Sequence, residues 1–286
     1  MGYRERVCKF GSHGGLIGIL TEPVGETREL TGAHPAIVVS NVGLNHRPGP
    51  NRLWVEFARR MAEKGFITLR FDLSGLGDST SRCDNLSTTE RHNADTREAV
   101  EFVLQKKQLS RVALIGLCSG VDPAHALALE DPRVSHAFFL DGYHYDTSRH
   151  LFNIRFLKLI QPRYYARGLR RWLQRIPGER KADAEGEILT REYPVREKMR
   201  QDIDVMLARG VQMYFCFSGG FAHYYSYENQ FFDMLPEGES LRGKISLNMF
   251  PQADHLFGGV ELKEDLYQSL ERFLLKPVEQ PSSTSC

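Results

Sequence analysis

Short apolar runs alternate along this chain with longer stretches whose apolar residues recur every three to four positions. Ala36–Ser40, Phe66–Phe71, Val112–Ile115, Val134–Leu140, Val211–Phe217 and Lys244–Met249 are brief and rich in branched or aromatic residues. Several have no polar face, as expected of strands buried on both sides of a parallel sheet. Between them, Asn51–Lys64 sets Leu53, Trp54, Phe57, Ala58 and Met61 at helical spacing, and Gly65 ends that helix. Thr88–Lys107, Pro123–Glu130 and Val260–Leu275 predict further helices. Ahead of this series, Val7–Phe10 and Leu16–Thr21 flank the turn residues Gly11-Ser12-His13-Gly14-Gly15 and predict a β-hairpin, followed by a polar connection over Pro23–His34. The simplest arrangement is an α/β fold: a mostly parallel sheet, led by a hairpin, with helices on both faces.

The alternation stops after Asp141. No clear strand lies between Tyr143 and about Leu207, and Leu151–Ile176 mixes aromatic with basic residues. The pattern predicts a helical cap inserted into the core: a first core part over 1–142, the cap over 143–207, a second core part over 208–276 and a disordered polar tail over 277–286.

Composition narrows this picture. With 286 residues and 41% hydrophobic content, the chain can bury the core of one large domain. A net charge of +1 argues against a general nucleic-acid binder. Met1–Arg6 lacks the apolar stretch of a signal peptide, and no run is long enough to cross a membrane. Five widely spaced cysteines suggest neither a disulfide framework nor a zinc site. A cytoplasmic, reducing setting is therefore expected, and it suits a free catalytic thiol. No metal or cofactor is expected.

The candidate thiol is Cys118. Gly116-Leu117-Cys118-Ser119-Gly120 joins the strand Val112–Ile115 to the helix Pro123–Glu130, and a tight turn there needs glycines two positions either side of its central residue. Centring the turn on Ser119 would put Leu117 and Val121 where glycines are required, so the spacing fits Cys118 only. The plainer alternative is a small buried thiol at a strand end. Asp72-Leu73-Ser74-Gly75-Leu76-Gly77-Asp78-Ser79 forms a second glycine-containing loop, but it lacks the lysine of a phosphate-binding loop and the third glycine of a dinucleotide site.

With the Gly-x-Cys-x-Gly turn, the Asp72–Ser79 loop and the late Ala253-Asp254-His255-Leu256-Phe257 in this order, the chain resembles the α/β-hydrolase superfamily over nearly its whole length. Val42-Gly43-Leu44-Asn45-His46-Arg47 and Gly49-Pro50-Asn51-Arg52-Leu53 are similar to hydrolase-like proteins associated with exosortase clusters. A cysteine in the turn is similar to acyltransferases that move acyl groups between carrier-protein thioesters, and also to dienelactone hydrolases.

The resemblance implies that Cys118 is the nucleophile and His255 its base. His125 and His136 fall inside a predicted helix and strand and are expected to pack or cap there. For the orienting acid, most members use the loop after the strand corresponding to Val211–Phe217, but Ser218–Tyr224 contains no carboxylate. Asp141, one strand earlier, is the favoured candidate, as in haloalkane dehalogenases. Glu228, expected inside the next helix, and a Cys–His pair working without an acid are the alternatives. The oxyanion hole is expected to use the backbone amides of Ser119 and of Val42 or Gly43. His46 is a candidate substrate contact.

A cysteine nucleophile forms an acyl thioester, whose exchange with a thioester donor is close to isoenergetic. The expected activity is thus acyl transfer through an acyl-cysteine, with hydrolysis of thioesters or esters, or a non-catalytic scaffold, as rivals. Arg149, Arg155, Lys158, Arg163, Arg167, Arg170, Arg171, Arg175, Arg180 and Lys181 share their stretch with one acid, Glu179. Such a surface, with Arg163, Arg167, Arg170 and Arg171 at its centre, suits an acidic acyl or peptidyl carrier protein, or a substrate carrying phosphopantetheine. It equally suits a solvated helix face whose arginine stems cover apolar surface.

Overall fold

The computed structural model describes residues 2–41, 43–160, 193–219 and 225–276, without the side chains of Arg28, Leu30 and residues 155–160. Eight strands form one sheet: β1 (Gly2–Phe10), β2 (Leu16–Val24), β3 (Ala36–Val39), β4 (Thr68–Phe71), β5 (Val112–Leu117), β6 (Val134–Leu140), β7 (Gln212–Ser218) and β8 (Ser246–Phe250). Their spatial order is β1-β2-β4-β3-β5-β6-β7-β8. β2 is antiparallel to both β1 and β4, and every other pairing is parallel.

The unbroken apolar runs follow from a sheet covered on both faces. In β5, β6 and β7, Leu114, Phe139 and Phe215 point to one side, and Ile115, Phe138 and Tyr214 to the other. The first face packs against α2 (Thr88–Lys107) and α3 (Val121–Glu130). The second packs against α1 (Leu53–Ala62) and the long C-terminal helix Val260–Leu274. α2 begins at Ser87, whose hydroxyl accepts from the Glu90 amide while the Glu90 carboxylate accepts from the Ser87 amide, a reciprocal capping box.

Parallel pairing in register brings the strand ends to one edge. Val39 faces Ile115, Leu117 faces Leu140, Leu140 faces Cys216, and Ser218 faces Phe250. The segments after β3, β5, β6, β7 and β8 therefore meet, which is where ligands bind in open α/β sheets.

Three local features depart from the expected elements. Gly25–Ala33, within the polar connection, winds as 3-10 turns. The helix expected from Asn51 starts at Leu53, because Asn51 and Arg52 both take left-handed backbone angles, φ 49° and 62°. Glu228 lies exposed in the turn before the short helix Gln230–Asp233 rather than inside a helix. Of the stretch expected to form the cap, residues 161–192, with Arg163, Arg167, Arg170 and Arg171, lie outside the described residues. Its flanks are α4 (Ser148–Ile160) and α5 (Arg196–Ala208). Met199, Ile203 and Met206 of α5 join the core on the α3 side of the sheet, so this helix is a crossover layer between β6 and β7. The tail, 277–286, is likewise outside the described residues. No described helix is long and apolar enough to cross a membrane, and the described residues hold no His/Cys/Asp/Glu group that could bind a metal.

Candidate active site

Cys118 sits at the end of β5 with φ 54°, a left-handed conformation that is costly for a residue with a side chain. The neighbouring glycines make it possible. A Cβ on Gly116 would stand 2.3 Å from the carbonyl oxygen of Gly120, and one on Gly120 would stand 2.5 Å from that of Asn41. No side chain fits at either position. The strand-to-helix turn therefore presents Cys118, half-buried, at the N-terminal side of α3, where a helix dipole favours a thiolate over a thiol.

Asp141 follows β6 directly and is also left-handed, φ 45°. Aspartate tolerates this region better than most residues. Its amide donates to the Cys216 carbonyl oxygen at 2.8 Å. Its carboxylate accepts from the Ser218 amide at 2.7 Å and from Ser218 Oγ at 2.6 Å. The Ser218 contacts leave Asp141 Oδ2 directed at His255 Nδ1, 2.8 Å away. The Asp141 side chain is 5% exposed and that of His255 18%, so the acid is shielded while the imidazole stays open to a reactant.

His255 is held by its own loop. Asp254 Oδ1 accepts the amides of Leu256 and Gly258, each at 3.0 Å, and Asn51 Nδ2 donates to the Leu256 carbonyl oxygen at 3.1 Å. Burial by itself would lower the His255 pKa. Hydrogen bonds to Asp141 and Cys118, together with their charges, outweigh it and raise the pKa from 6.5 to about 9. His255 thus has two partners, a carboxylate on one side and the thiol on the other. His136, buried in β6, shows the opposite balance: burial pushes it down to about 4. His125 is buried in α3, as expected from the sequence.

Glu228 is not the partner of His255; that position belongs to Asp141. On the oxyanion side, the Gly43 amide donates to Ser119 Oγ at 2.8 Å, and Ser40 Oγ donates to the Gly120 carbonyl oxygen at 3.1 Å. Val42 lies outside the described residues. His46 is exposed, on a turn closed by the Gly49 amide bonding its carbonyl oxygen. Beside it, Arg47 donates its amide to buried Asp72 at 2.6 Å and pairs its guanidinium with Asp72 and Asp78, which ties this turn to the Asp72–Ser79 loop. A cavity of about 900 Å3 lies near the ends of β7 and β8, between Tyr225, Tyr227, Phe232, Arg242, Met249 and Pro251. Neither Cys118 nor His255 lines it.

Sequence reasoning missed Ser218, which orients the acid, and Asn51, which holds the histidine loop. The one signal for Ser218 is its place at the end of β7, a strand whose following stretch Gly219–Tyr224 contains no carboxylate.

This turn, sheet order and histidine loop define an α/β-hydrolase architecture. The chain belongs to the alpha/beta hydrolase fold family, whose sequence profile matches residues 43–278. It is 34% identical over 80 residues to an uncharacterized Pseudomonas aeruginosa protein, PA2218, a match spanning 27% of this chain and 22% of that protein. The crystal structure of the P. aeruginosa protein superposes with TM-score 0.55 at 18% identity, covering 95% of this chain and 94% of that one. The Pyrococcus furiosus esterase Pf2001 superposes with TM-score 0.55 at 10% identity, covering 95% and 90%. XC6422 of Xanthomonas campestris, described as a serine hydrolase without a lid, gives TM-score 0.51 at 13% identity, covering 96% and 94%. At these identities the likeness is one of fold.

Proposed function

We propose that this protein is a cysteine-dependent acyl-transfer enzyme, with Cys118 as nucleophile, His255 as acid and base, and Asp141 as the orienting carboxylate. The observation that carries the reading is the His255 imidazole, bonded at 2.8 Å to Asp141 and hydrogen-bonded to Cys118. In the first half-reaction the Cys118 thiolate attacks an acyl carbonyl carbon and a C–S bond forms. The tetrahedral oxyanion collapses, the bond to the leaving thiol or alcohol breaks, and His255 gives that group its proton. In the second, His255 takes a proton from the acceptor as the acceptor attacks the thioester, and Cys118 is released as thiolate. The oxyanion donors in this reading are the amides of Ser119 and Val42.

Other residues bear on the class of acyl group and acceptor. Leu44 and Leu256, exposed on the loops after β3 and around His255, offer apolar contact to an acyl chain. The basic stretch from Arg149 to Lys181, including Arg163, Arg167, Arg170 and Arg171, suits a carrier protein or a phosphopantetheine arm. His46 is a candidate contact at the exposed turn beside Asp72. The esterase and hydrolase names among the structural neighbours favour a second reading, in which water is the acceptor.

Intact-protein mass spectrometry after mixing with S-acetyl pantetheine tests the reading. Wild type is expected to gain one acetyl group and Cys118→Ala none. Faster loss of that group on adding a thiol or amine supports transfer, and loss at the same rate in buffer alone supports hydrolysis. An equal gain in both proteins contradicts the account.

A further inference from the structure

The turn after β3 is fastened to the nucleophile turn at two points. At the near end, the Asn41 carbonyl oxygen lies where a Gly120 side chain would be, and Ser40 Oγ donates to the Gly120 carbonyl oxygen at 3.1 Å. At the far end, Gly43 takes φ 51° and its amide donates to Ser119 Oγ at 2.8 Å. That second contact joins positions 76 residues apart. It is made by the side chain of the residue that follows the nucleophile, whose backbone alone has a role in the reading above.

We propose that the Ser119 hydroxyl is a positioning residue for the oxyanion hole, an inference that rests on Cys118 being an acylated nucleophile. Ser119 does not touch the reacting atoms through this hydroxyl. It accepts the Gly43 N–H, which commits that amide to the loop and fixes the left-handed turn at Gly43. Without it, the segment is still fastened at Ser40 and Asn41 and, further on, at Asn45 and Arg47, but Gly43 between those points loses its bond to the Cys118 turn and can shift. Oxyanion donors act by standing in place before charge develops, so a displacement of an ångström is enough to weaken them. The thiolate is generated by a separate set of contacts, from His255 and Asp141, which the hydroxyl does not join among the described hydrogen bonds.

That separation supplies the test. Alkylation of Cys118 by iodoacetamide displaces iodide at a saturated carbon and forms no oxyanion. Acetylation by p-nitrophenyl acetate or S-acetyl pantetheine passes through one. Both rates are measured from pH 6 to 9 for wild type, Ser119→Ala and Ser119→Thr. The expected result is that Ser119→Ala acetylates roughly ten- to a hundredfold more slowly, while its alkylation profile keeps the wild-type shape and height. Ser119→Thr, which keeps a hydroxyl, should recover most of the acetylation rate. Acetylation of Ser119→Ala at or above the wild-type rate would overturn the proposal, since Gly43 would then be held without the hydroxyl or released by it to serve the oxyanion. A parallel fall in alkylation would also overturn it, placing the effect on the thiol or the fold. Wild type that alkylates at Cys118 but accepts acetyl from neither donor would remove the reading on which the proposal rests, and the proposal with it.

Discussion

At the scale of single residues, the orientation of His255 rests on how Asp141 is itself held. Asp141 has two oxygens and three incoming donors, from the Ser218 amide, Ser218 Oγ and His255 Nδ1. Asparagine at this position would bring an N–H₂ group into a site built for acceptors. Facing His255 Nδ1, that group would favour the tautomer with its proton on Nε2, the nitrogen left to face the thiol, and His255 could not take a proton there. Asp141→Asn is therefore expected to lower the acetylation rate of Cys118 by a factor on the order of 10² to 10⁴, with the thermal midpoint close to wild type. Glu228→Gln should leave the rate within about twofold, because Glu228 is exposed in a turn and Asp141 already partners His255. Stopped-flow acetylation of the two variants checks both statements. The reverse order of effects would return Glu228 to the mechanism.

At the scale of elements, the site depends on how close the strand ends lie. The turn after β5 tolerates no Cβ at Gly116 because the Gly120 carbonyl oxygen is 2.3 Å from where it would go. Backbone, unlike the end of a side chain, cannot swing aside. Gly116→Ala is expected to cost roughly 1–3 kcal/mol or more of stability and to slow acetylation, read by urea unfolding and by the same kinetics; wild-type stability would show that the turn is looser than described. The same closeness explains what was legible beforehand. Gly116 and Gly120 mark the tight turn around Cys118 because no other residue fits, and the strands of the core announce themselves because both faces are buried. The acid was ambiguous for a physical reason. β6 and β7 are paired in register, Leu140 beside Cys216, so the ends of both strands reach the same spot, and sequence order does not say which one supplies the carboxylate. Here β6 supplies Asp141 and β7 supplies Ser218 to hold it. Asn51 was hidden for another reason. Its clasp on the histidine loop spans 205 positions and depends on two consecutive left-handed residues, which leave no periodic trace.

At the scale of the whole molecule, the mostly parallel sheet brings together residues from places far apart in the chain, with Cys118, Asp141 and His255 arriving on the loops after three different strands. Helices on both faces fix those strands, and the chemistry is left to the edge. In the proposed mechanism this edge holds Cys118 as a thiolate against a protonated His255, whose pKa Asp141 and Cys118 raise to about 9. The direct measurement is the pH dependence of iodoacetamide alkylation at Cys118, resolved by peptide mass spectrometry, in wild type and His255→Gln. Cys83, exposed on the same molecule, is alkylated in the same samples and serves as the internal reference. The expected Cys118 rate is nearly level from pH 6 to 8 in wild type and climbs with pH in His255→Gln, as thiolate formation in an unassisted thiol does. A wild-type Cys118 rate that climbs with pH as steeply as that of His255→Gln would contradict the thiolate–imidazolium pair.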